Sequence, residues 1–324
     1  MLNSNLTKPL RVGLIGAGRI GKVHAQSLQR AGAVIVTIAD PVGDVAETVA
    51  AQFGIAHWTK NASDVFIADI DAVVVCSPTA LHAEQIIEAA KHNKHIFCEK
   101  PVDFSVDVVN KAIKAICSNF ARIKQAIDHD EIGKVNMLRI TSRDPGAPPI
   151  EYVKVSGGLF RDMTIHDFDM ARFLVGDEVD EVYAMAQSIN PDIAAAGDID
   201  TAVVLLKFRN GVICYIENSR EAAYGYDQRV EALGSKGSVA CDNKHSNQVV
   251  ISTNESVRRD LPLHFFLERY MDAYVAEMEA FIRVCTTGAP VPVGGDAGRE
   301  ALLLALAANK SLAENRPVKV DELR

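Results

Sequence analysis

The stretch that decides the fold is Arg11-Val12-Gly13-Leu14-Ile15-Gly16-Ala17-Gly18-Arg19-Ile20-Gly21. Residues 11–15 form a short aliphatic run typical of a strand, and residues 22–31 have helical character. Glycines join the two, so Gly16-Ala17-Gly18-Arg19-Ile20-Gly21 matches the GxGxxG fingerprint in the strand–turn–helix context that separates it from chance. Gly16 permits the tight turn, Gly18 lets a pyrophosphate approach and Gly21 allows close helix packing. We therefore predict that this segment, including Arg19 and Ile20, binds a dinucleotide at a helix N-terminus.

Asp40 completes the fingerprint. It follows Gly21 by 19 residues and ends a second predicted strand, residues 34–39. A carboxylate at this position hydrogen-bonds both ribose hydroxyls and repels a 2′-phosphate. Because no arginine follows Asp40, we expect NAD rather than NADP. The alternative, a glycine turn with a capping aspartate, is disfavoured by the strand, the spacing and the acid together.

Outward from this segment, strands and helices alternate, and then the pattern changes. A parallel, doubly wound sheet is predicted by helices at 42–53 and 79–91 and strands at 72–76 and 95–98. Beyond Gly133, turn-linked strands predict an open, mainly antiparallel sheet, at 135–142, 181–189, 201–208, 212–219, 228–233 and 248–252. Helices are predicted at 160–174, 267–285 and 297–313. The fold class is therefore α/β, with an N-terminal Rossmann domain at 1–118 and a C-terminal α+β domain at 119–324, whose last helix can return to the first domain.

Composition excludes several classes of protein. The 324 residues are 48% hydrophobic, which argues against a disordered chain. Their formal charge of -8 argues against a default association with nucleic acid. The apolar runs are too short for a bilayer, and the N-terminus does not have the pattern of a signal peptide. Six scattered cysteines without CxxC spacing are read as reduced, mostly buried thiols. We expect a cytoplasmic protein without a membrane or nucleic-acid partner.

Two further segments follow predicted parallel strands, at the sheet edge where ligands of open α/β folds bind. In Cys98-Glu99-Lys100-Pro101 the lysine ammonium could stabilise a developing alkoxide, whereas a lone lysine is usually a solvated surface residue. Its position after the strand favours the first interpretation. Ser77-Pro78-Thr79 with His82 predicts either a helix start with a capping hydroxyl or a cofactor contact. The two alternatives stay equally weighted here.

The helix around Gly157-Gly158-Leu159-Phe160-Arg161-Asp162-Met163-Thr164-Ile165-His166-Asp167-Phe168-Asp169 carries a polar stripe. Asp162, His166 and Asp169 are spaced by four and three residues, which predicts one shared helical face. Such a face usually contacts solvent, but a histidine flanked by two carboxylates has the ingredients of a general base near neutral pH. A zinc site is the weaker alternative, because no supporting ligand cluster appears and NAD-dependent alcohol oxidation can proceed with lysine and histidine alone. We expect no metal.

Together these motifs resemble the glucose-fructose oxidoreductase and inositol dehydrogenase family over nearly the whole chain, and residues 157–174 look most like its inositol 2-dehydrogenase branch. The resemblance implies oxidation of a ring hydroxyl of myo-inositol to the ketone, and a tetramer of paired sheets. By motif match it implies roles for Lys100, for His166 as the base, for Asp162 as its companion and a substrate contact, for Asp169 on substrate hydroxyls, and for Tyr226, with Tyr224 left open beside it. Cofactor contacts would extend over Ser77, Pro78, Thr79, His82, Glu99 and Lys100.

One departure from the family pattern lies between Cys117 and Ser118. Members usually have another strand and an Asn-Arg-Arg-Phe segment here, on the scale of about 20 residues, whereas this chain runs directly into Ser118-Asn119-Phe120. We expect that the natural protein carries additional residues at this junction. The open alternatives are a dehydrogenase of another sugar or polyol, and an NAD-binding regulator without activity.

Overall fold

The computed structural model describes residues 8–100, 121–289 and 295–324. The Cys117–Ser118 junction lies outside the described residues, so the expectation about it stays a prediction. The chain divides into two compact units, one drawn from Met1–Ser118 and Met271–Arg299, the other from Asn119–Tyr270 and Glu300–Arg324. Residues 271–299 thus group with the first unit; the sequence prediction assigned 119–324 to the second domain and allowed its last helix to return to the first.

The first unit is a doubly wound parallel sheet. In the described residues its strands have the order β3-β2-β1-β4-β5 and pair in parallel. The elements are β1 (Arg11–Ile15), α1 (Arg19–Arg30), β2 (Val34–Ala39), α2 (Gly43–Phe53), β3 (His57–Thr59), α3 (Ala62–Phe66), β4 (Ala72–Val75), α4 (Thr79–Lys91) and β5 (His95–Cys98). Every residue of β4 is buried, as expected for a strand covered by helices on both faces. The sequence did not predict β3, because three largely exposed residues give no apolar run.

The second unit contains a seven-stranded sheet of order β11-β10-β6-β9-β8-β7-β14. Its strands, with a separate hairpin, are β6 (Val135–Arg143), β7 (Val179–Gln187), β8 (Thr201–Phe208), β9 (Ile213–Ser219), β10 (Asp227–Gly234), β11 (Ser238–Cys241), β12 (Val250–Ser252), β13 (Val257–Arg259) and β14 (Val318–Lys319). Most pairs are antiparallel, but β6 and β9 pair in parallel, with Met137 opposite Ile213. The fold class is confirmed, with this mixed pairing as a refinement that turn signals between neighbouring strands do not reveal.

Further helical segments lie in the described residues from 121 onward. They are α5 (Ala121–Asp128), α6 (Ile150–Val153), a π-helix (Phe160–Thr164), α7 (Ile165–Val175), α8 (Pro191–Ala195), α9 (Phe266–Thr287), α10 (Gly295–Glu314) and a final 3₁₀ turn (Val320–Leu323). Helices α9 and α10 each contribute to both units. In the described part of the chain, no helix has the length and apolar character that crossing a membrane requires. The five described cysteines are free thiols, and Cys98 and Cys214 are buried.

Candidate active site

The glycine loop leaves an open anion cradle at the start of α1. Gly16 has φ +99°, and a Cβ there would lie 2.5 Å from the carbonyl oxygen of Cys76. A Cβ on Gly21 would lie 2.0 Å from the Gly16 carbonyl oxygen, whereas one on Gly18 would meet nothing within 4 Å. No side chain caps α1 and its first turn contains no acidic residue. A helix N-terminus beside open space at Gly18 fits the pyrophosphate of a dinucleotide.

Asp40 is fixed beside this cradle by two backbone amides. Its Oδ2 accepts from the N–H of Ala17 at 2.8 Å and its Oδ1 accepts from the N–H of Val42 at 3.0 Å. Each carboxylate oxygen can accept a second hydrogen bond. The carboxylate is therefore held in a defined orientation and keeps acceptor capacity for two adjacent hydroxyls of a ribose.

The segment after β4 is held by hydrogen bonds to buried side chains of α4. The N-cap of α4 is Pro78 and no side chain caps this helix, so the capping-hydroxyl alternative is wrong. Ser77 Oγ instead donates to Gln85 Oε1 at 2.6 Å. His82 is 1% exposed, and its Nε2 lies 2.6 Å from the Ser77 carbonyl oxygen. Direct contacts of Ser77, Pro78, Thr79 and His82 with a cofactor stay predictions, and His82 supports the backbone that would make them.

Glu99 and Lys100 follow β5. The Glu99 side chain is hydrogen-bonded to His24, a residue that the sequence did not predict as part of the site. Glu99 Oε1 lies 2.5 Å from Nε2 of His24, and Glu99 Oε2 accepts from the backbone N–H of Lys100 at 3.2 Å. Burial alone would raise the pKa of Glu99, but the hydrogen bond and charge of His24, with the charge and amide of Lys100, lower it to about 2. The carboxylate therefore stays ionised. The only sequence signal for His24 was its place on the buried face of α1.

In the second unit, Asp162 lies in a π-helical turn. The α-helical periodicity predicted over 160–174 is wrong at its start, because residues 160–164 form a π-helix that continues into α7. The chain enters this turn through Gly157 and Gly158, both at positive φ, and the N–H of Leu159 donates to Asp198 at 3.0 Å. A spacing of four residues fits π and α turns alike, so the pattern could not distinguish them. Such π turns occur often at functional sites.

Two distant residues hold the Asp162 carboxylate. Tyr152 donates its hydroxyl to Oδ1 at 2.8 Å, and Arg220 donates from Nη1 to Oδ2 at 3.2 Å. The Arg220 guanidinium also donates to Asp198 at 3.4 Å and is 1% exposed. Sequence reasoning missed Arg220, because its partners lie 58 and 22 residues away. The role of Asp162 as companion of His166 stays a prediction.

Asp167, directly after His166, is buried in a polar network. Its Oδ2 accepts from Nδ2 of Asn218 at 2.7 Å, and its Oδ1 accepts from Nε2 of Gln228 at 3.2 Å. Burial raises the pKa of Asp167 to about 7, and hydrogen bonds from Asn218, Gln228 and Ser142 only partly oppose the rise. These three residues come from β9, β10 and β6. The network therefore anchors the helix that carries His166 to the sheet.

Asp169 and the two tyrosines differ in their surroundings. Asp169 lies 3.6 Å from the guanidinium of Arg172. Tyr224 donates to Asp227 at 2.6 Å and belongs to a separate ion-pair cluster. Tyr226 packs edge-on against Tyr270 with ring centroids 6.0 Å apart. Burial, and then the charges of Tyr270, Asp144 and Asp167, raise the pKa of Tyr226. Tyr226 is therefore the tyrosine whose pKa is affected by Asp167, the residue after His166. Its contact with substrate stays a prediction.

A metal centre has no support among the described residues. Within 8–100, 121–289 and 295–324, no group of three or more histidine, cysteine, aspartate and glutamate side chains is arranged to hold a metal ion.

The sequence matches two family descriptions that together span both units. Residues 10–123 match the GFO/IDH/MocA oxidoreductase family, NAD-binding Rossmann fold, and residues 120–240 match a GFO/IDH/MocA C-terminal domain. The Rossmann match contains the glycine loop, Asp40 and Lys100. The C-terminal match contains Asp162 and His166. Both groups of predicted residues therefore lie inside the regions that the family has in common.

Similar proteins cover nearly the full length. A myo-inositol 2-dehydrogenase of Thermotoga maritima is 43% identical over 97% of this chain and 99% of its own. An inositol 2-dehydrogenase of Rhizobium meliloti is 45% identical over 96% of this chain and 99% of its own. A crystal structure of a probable dehydrogenase from Thermotoga maritima has a TM-score of 0.93 at 43% identity, over 97% of this chain and 100% of its own. The first alignment extends over 332 positions, more than the 324 residues here, so some aligned positions have no residue in this chain.

Proposed function

The chain belongs to the GFO/IDH/MocA oxidoreductase family, and from this we propose that it oxidises a ring hydroxyl of a cyclic polyol with NAD, the polyol being myo-inositol and the product 2-keto-myo-inositol. The observation that carries the proposal is the pair of inositol 2-dehydrogenases at 43% and 45% identity over nearly full length. The open cradle at Gly18 and the doubly anchored Asp40 support NAD as the cofactor. Bound NAD would supply the redox chemistry as the acceptor of a hydride.

Each unit contributes one chemical function in this proposal. Lys100 donates a hydrogen bond to the reacting hydroxyl and stabilises the alkoxide as negative charge develops. His166 removes the hydroxyl proton as a general base. The proposal is supported in the first unit by the ionised Glu99 next to Lys100, and in the second by the network that fixes the helix of His166. Asp162, Asp169 and Tyr226 would orient the substrate, whose several hydroxyls require several polar partners.

We also propose a homo-oligomer, with a tetramer as its size. One face of the seven-stranded sheet carries exposed apolar side chains, at Met137, Met185, Leu205, Ile213 and Leu233. Contiguous exposed apolar surface of this kind marks interaction sites, and a second copy of the chain offers a matching face. Light scattering at micromolar concentration should give a multiple of 35.1 kDa, and Leu205→Glu should lower that mass. A monomeric mass for the unmodified protein contradicts the oligomer.

The five described cysteines are free thiols, and they support a location in the reducing cytoplasm.

The activity is tested by reduction of NAD at neutral to alkaline pH with myo-inositol, scyllo-inositol and glucose. The two inositols differ only in configuration at C2 and give the same ketone. Their relative rates therefore measure the selectivity of the site for the configuration at C2. We expect turnover of myo-inositol and a preference for NAD over NADP. Turnover of glucose alone would favour the sugar dehydrogenase. NAD binding without turnover of any compound would favour the regulator.

A further inference from the structure

A hydrogen bond between a buried imidazole and a half-buried carboxylate joins the helix that follows the glycine loop to the segment that carries Lys100. His24 lies on α1, and its side chain is 0% exposed. Its Nε2 is 2.5 Å from Glu99 Oε1. The second oxygen of the same carboxylate accepts from the backbone N–H of Lys100 at 3.2 Å. Glu99 therefore has one oxygen committed to His24 and the other to the Lys100 backbone.

Packing alone does not account for a histidine at this position. The imidazole is surrounded by the rings of Phe97 and Tyr274, with centroids at 5.0 and 5.5 Å and both in edge-on geometry. Its Nδ1 is buried and has no hydrogen-bond partner among the residues that the structure describes. A buried polar atom without a partner is unfavourable, and an apolar side chain would avoid it. The polar contact that His24 does make is with Glu99, and this contact is the reason for a histidine here.

A second carboxyl group is affected by the charge of Glu99. Glu277 on α9 is 9% exposed, and burial, followed by the charge of Glu99, raises its pKa well above the usual value. Burial also acts to raise the pKa of Glu99, but the hydrogen bond and the charge of His24 act in the opposite direction and lower it. His24 therefore favours the ionised form of Glu99, the residue next to Lys100.

We propose that His24 is a positioning residue, which holds the Glu99 side chain and thereby fixes the backbone that presents the ammonium group of Lys100. The inference rests on the proposed function, in which that ammonium group stabilises the alkoxide. A misplacement of the order of 1 Å at a catalytic group can lower a rate by about a hundredfold. His24 reaches Lys100 through Glu99, so its loss should lower turnover by a larger factor than it weakens NAD binding.

The test compares His24→Gln, His24→Leu and a control, Leu28→Ala. Glutamine keeps an N–H donor near the position of Nε2, whereas leucine removes it. Leu28 is fully buried on the same helix and packs in the apolar core, so its truncation lowers stability without touching Glu99. We expect His24→Leu to lower kcat by about tenfold or more with the Kd for NAD changed less than about twofold. His24→Gln should recover most of this loss, and Leu28→Ala should lower the melting temperature but keep kcat within about twofold.

Two further measurements complete the test. Because His24 and Glu99 act as one unit, the double variant with Glu99→Gln should be no slower than the slower single variant. Hydrogen exchange of the peptide ending at Lys100 should be faster in His24→Leu than in His24→Gln, and this readout needs no substrate. If the unmodified protein turns over no polyol, the proposed function fails, and the exchange result alone decides on His24. Equal kcat and equal exchange in the leucine variant, or an equal loss of kcat in Leu28→Ala, overturns the proposal.

Discussion

Replacing Asp167 by asparagine should change how stability depends on pH. The pKa of Asp167 in the folded protein is about 7 instead of its ordinary 3.8, first because burial disfavours the charge and further because Asp144 repels it. A carboxyl with a raised folded pKa binds its proton more tightly in the folded state. Its contribution to stability is therefore complete below about pH 3.8 and is lost as pH rises through about 7. Asp167 is 1% exposed, so solvent does not screen the effect.

The two pKa values set the size of the change. Linkage gives a loss of roughly 3 kcal/mol in the free energy of unfolding of the unmodified protein between pH 5 and pH 8 from this group. Asp167→Asn cannot ionise. Its side chain has an NH₂ group where Asp167 has an oxygen that accepts from Asn218 or Gln228, so two donors face each other there. The variant should therefore be less stable than the unmodified protein at pH 5. The deficit should shrink by roughly 3 kcal/mol by pH 8.

Urea unfolding of both proteins at equal concentration, from pH 5 to pH 8, measures this difference while effects common to both cancel. Thr164→Val serves as a control, because it removes the hydrogen bond to Asn218 without removing an ionisable group. The control should be destabilised to a similar extent at every pH. A difference between Asp167→Asn and the unmodified protein that stays constant within about 1 kcal/mol across this range would refute a raised pKa at Asp167.

Three further variants and one mass measurement test the remaining assignments. Asp40→Ala should narrow the preference for NAD over NADP, measured as the ratio of kcat/KM, and equal use of both by the unmodified protein would contradict the assignment. Gly21→Ala should weaken NAD binding by at least about tenfold in a fluorescence titration, since its Cβ would overlap the Gly16 carbonyl. His166→Ala should lower kcat by about a hundredfold or more with NAD binding unchanged. Near-normal turnover would show that another residue is the general base. If residues are missing at Cys117, the intact mass of the natural protein should exceed 35.1 kDa by about 2 kDa.

The elements that the sequence predicted are those with a local signal. The glycine loop could be assigned residue by residue because its turn, its helix and Asp40 lie within one strand–helix–strand unit. The π-helical turn at Asp162 could not, since four-residue spacing fits two helix types. Arg220 and the parallel pairing of β6 with β9 depend on contacts between residues far apart in sequence. No spacing or composition within a short window contains that information.

Two carboxylates beside the predicted catalytic residues, one half-buried and one buried, show why ionisation states could not be predicted from the sequence. Glu99 and Asp167 each lie next to a residue with a proposed role, Lys100 and His166, and burial pushes the pKa of both carboxyls upward. The outcome differs because of the partners. Glu99 faces the imidazole of His24 and the charge of Lys100, so its pKa falls to about 2, whereas Asp167 accepts mainly from neutral amides and its pKa rises to about 7. A cation compensates the lost hydration of a buried carboxylate more fully than neutral donors do. A carboxylate that the fold removes from water therefore keeps its charge best where a cation lies beside it, and in this protein that condition separates Glu99, which supports a lysine, from Asp167, which anchors a helix.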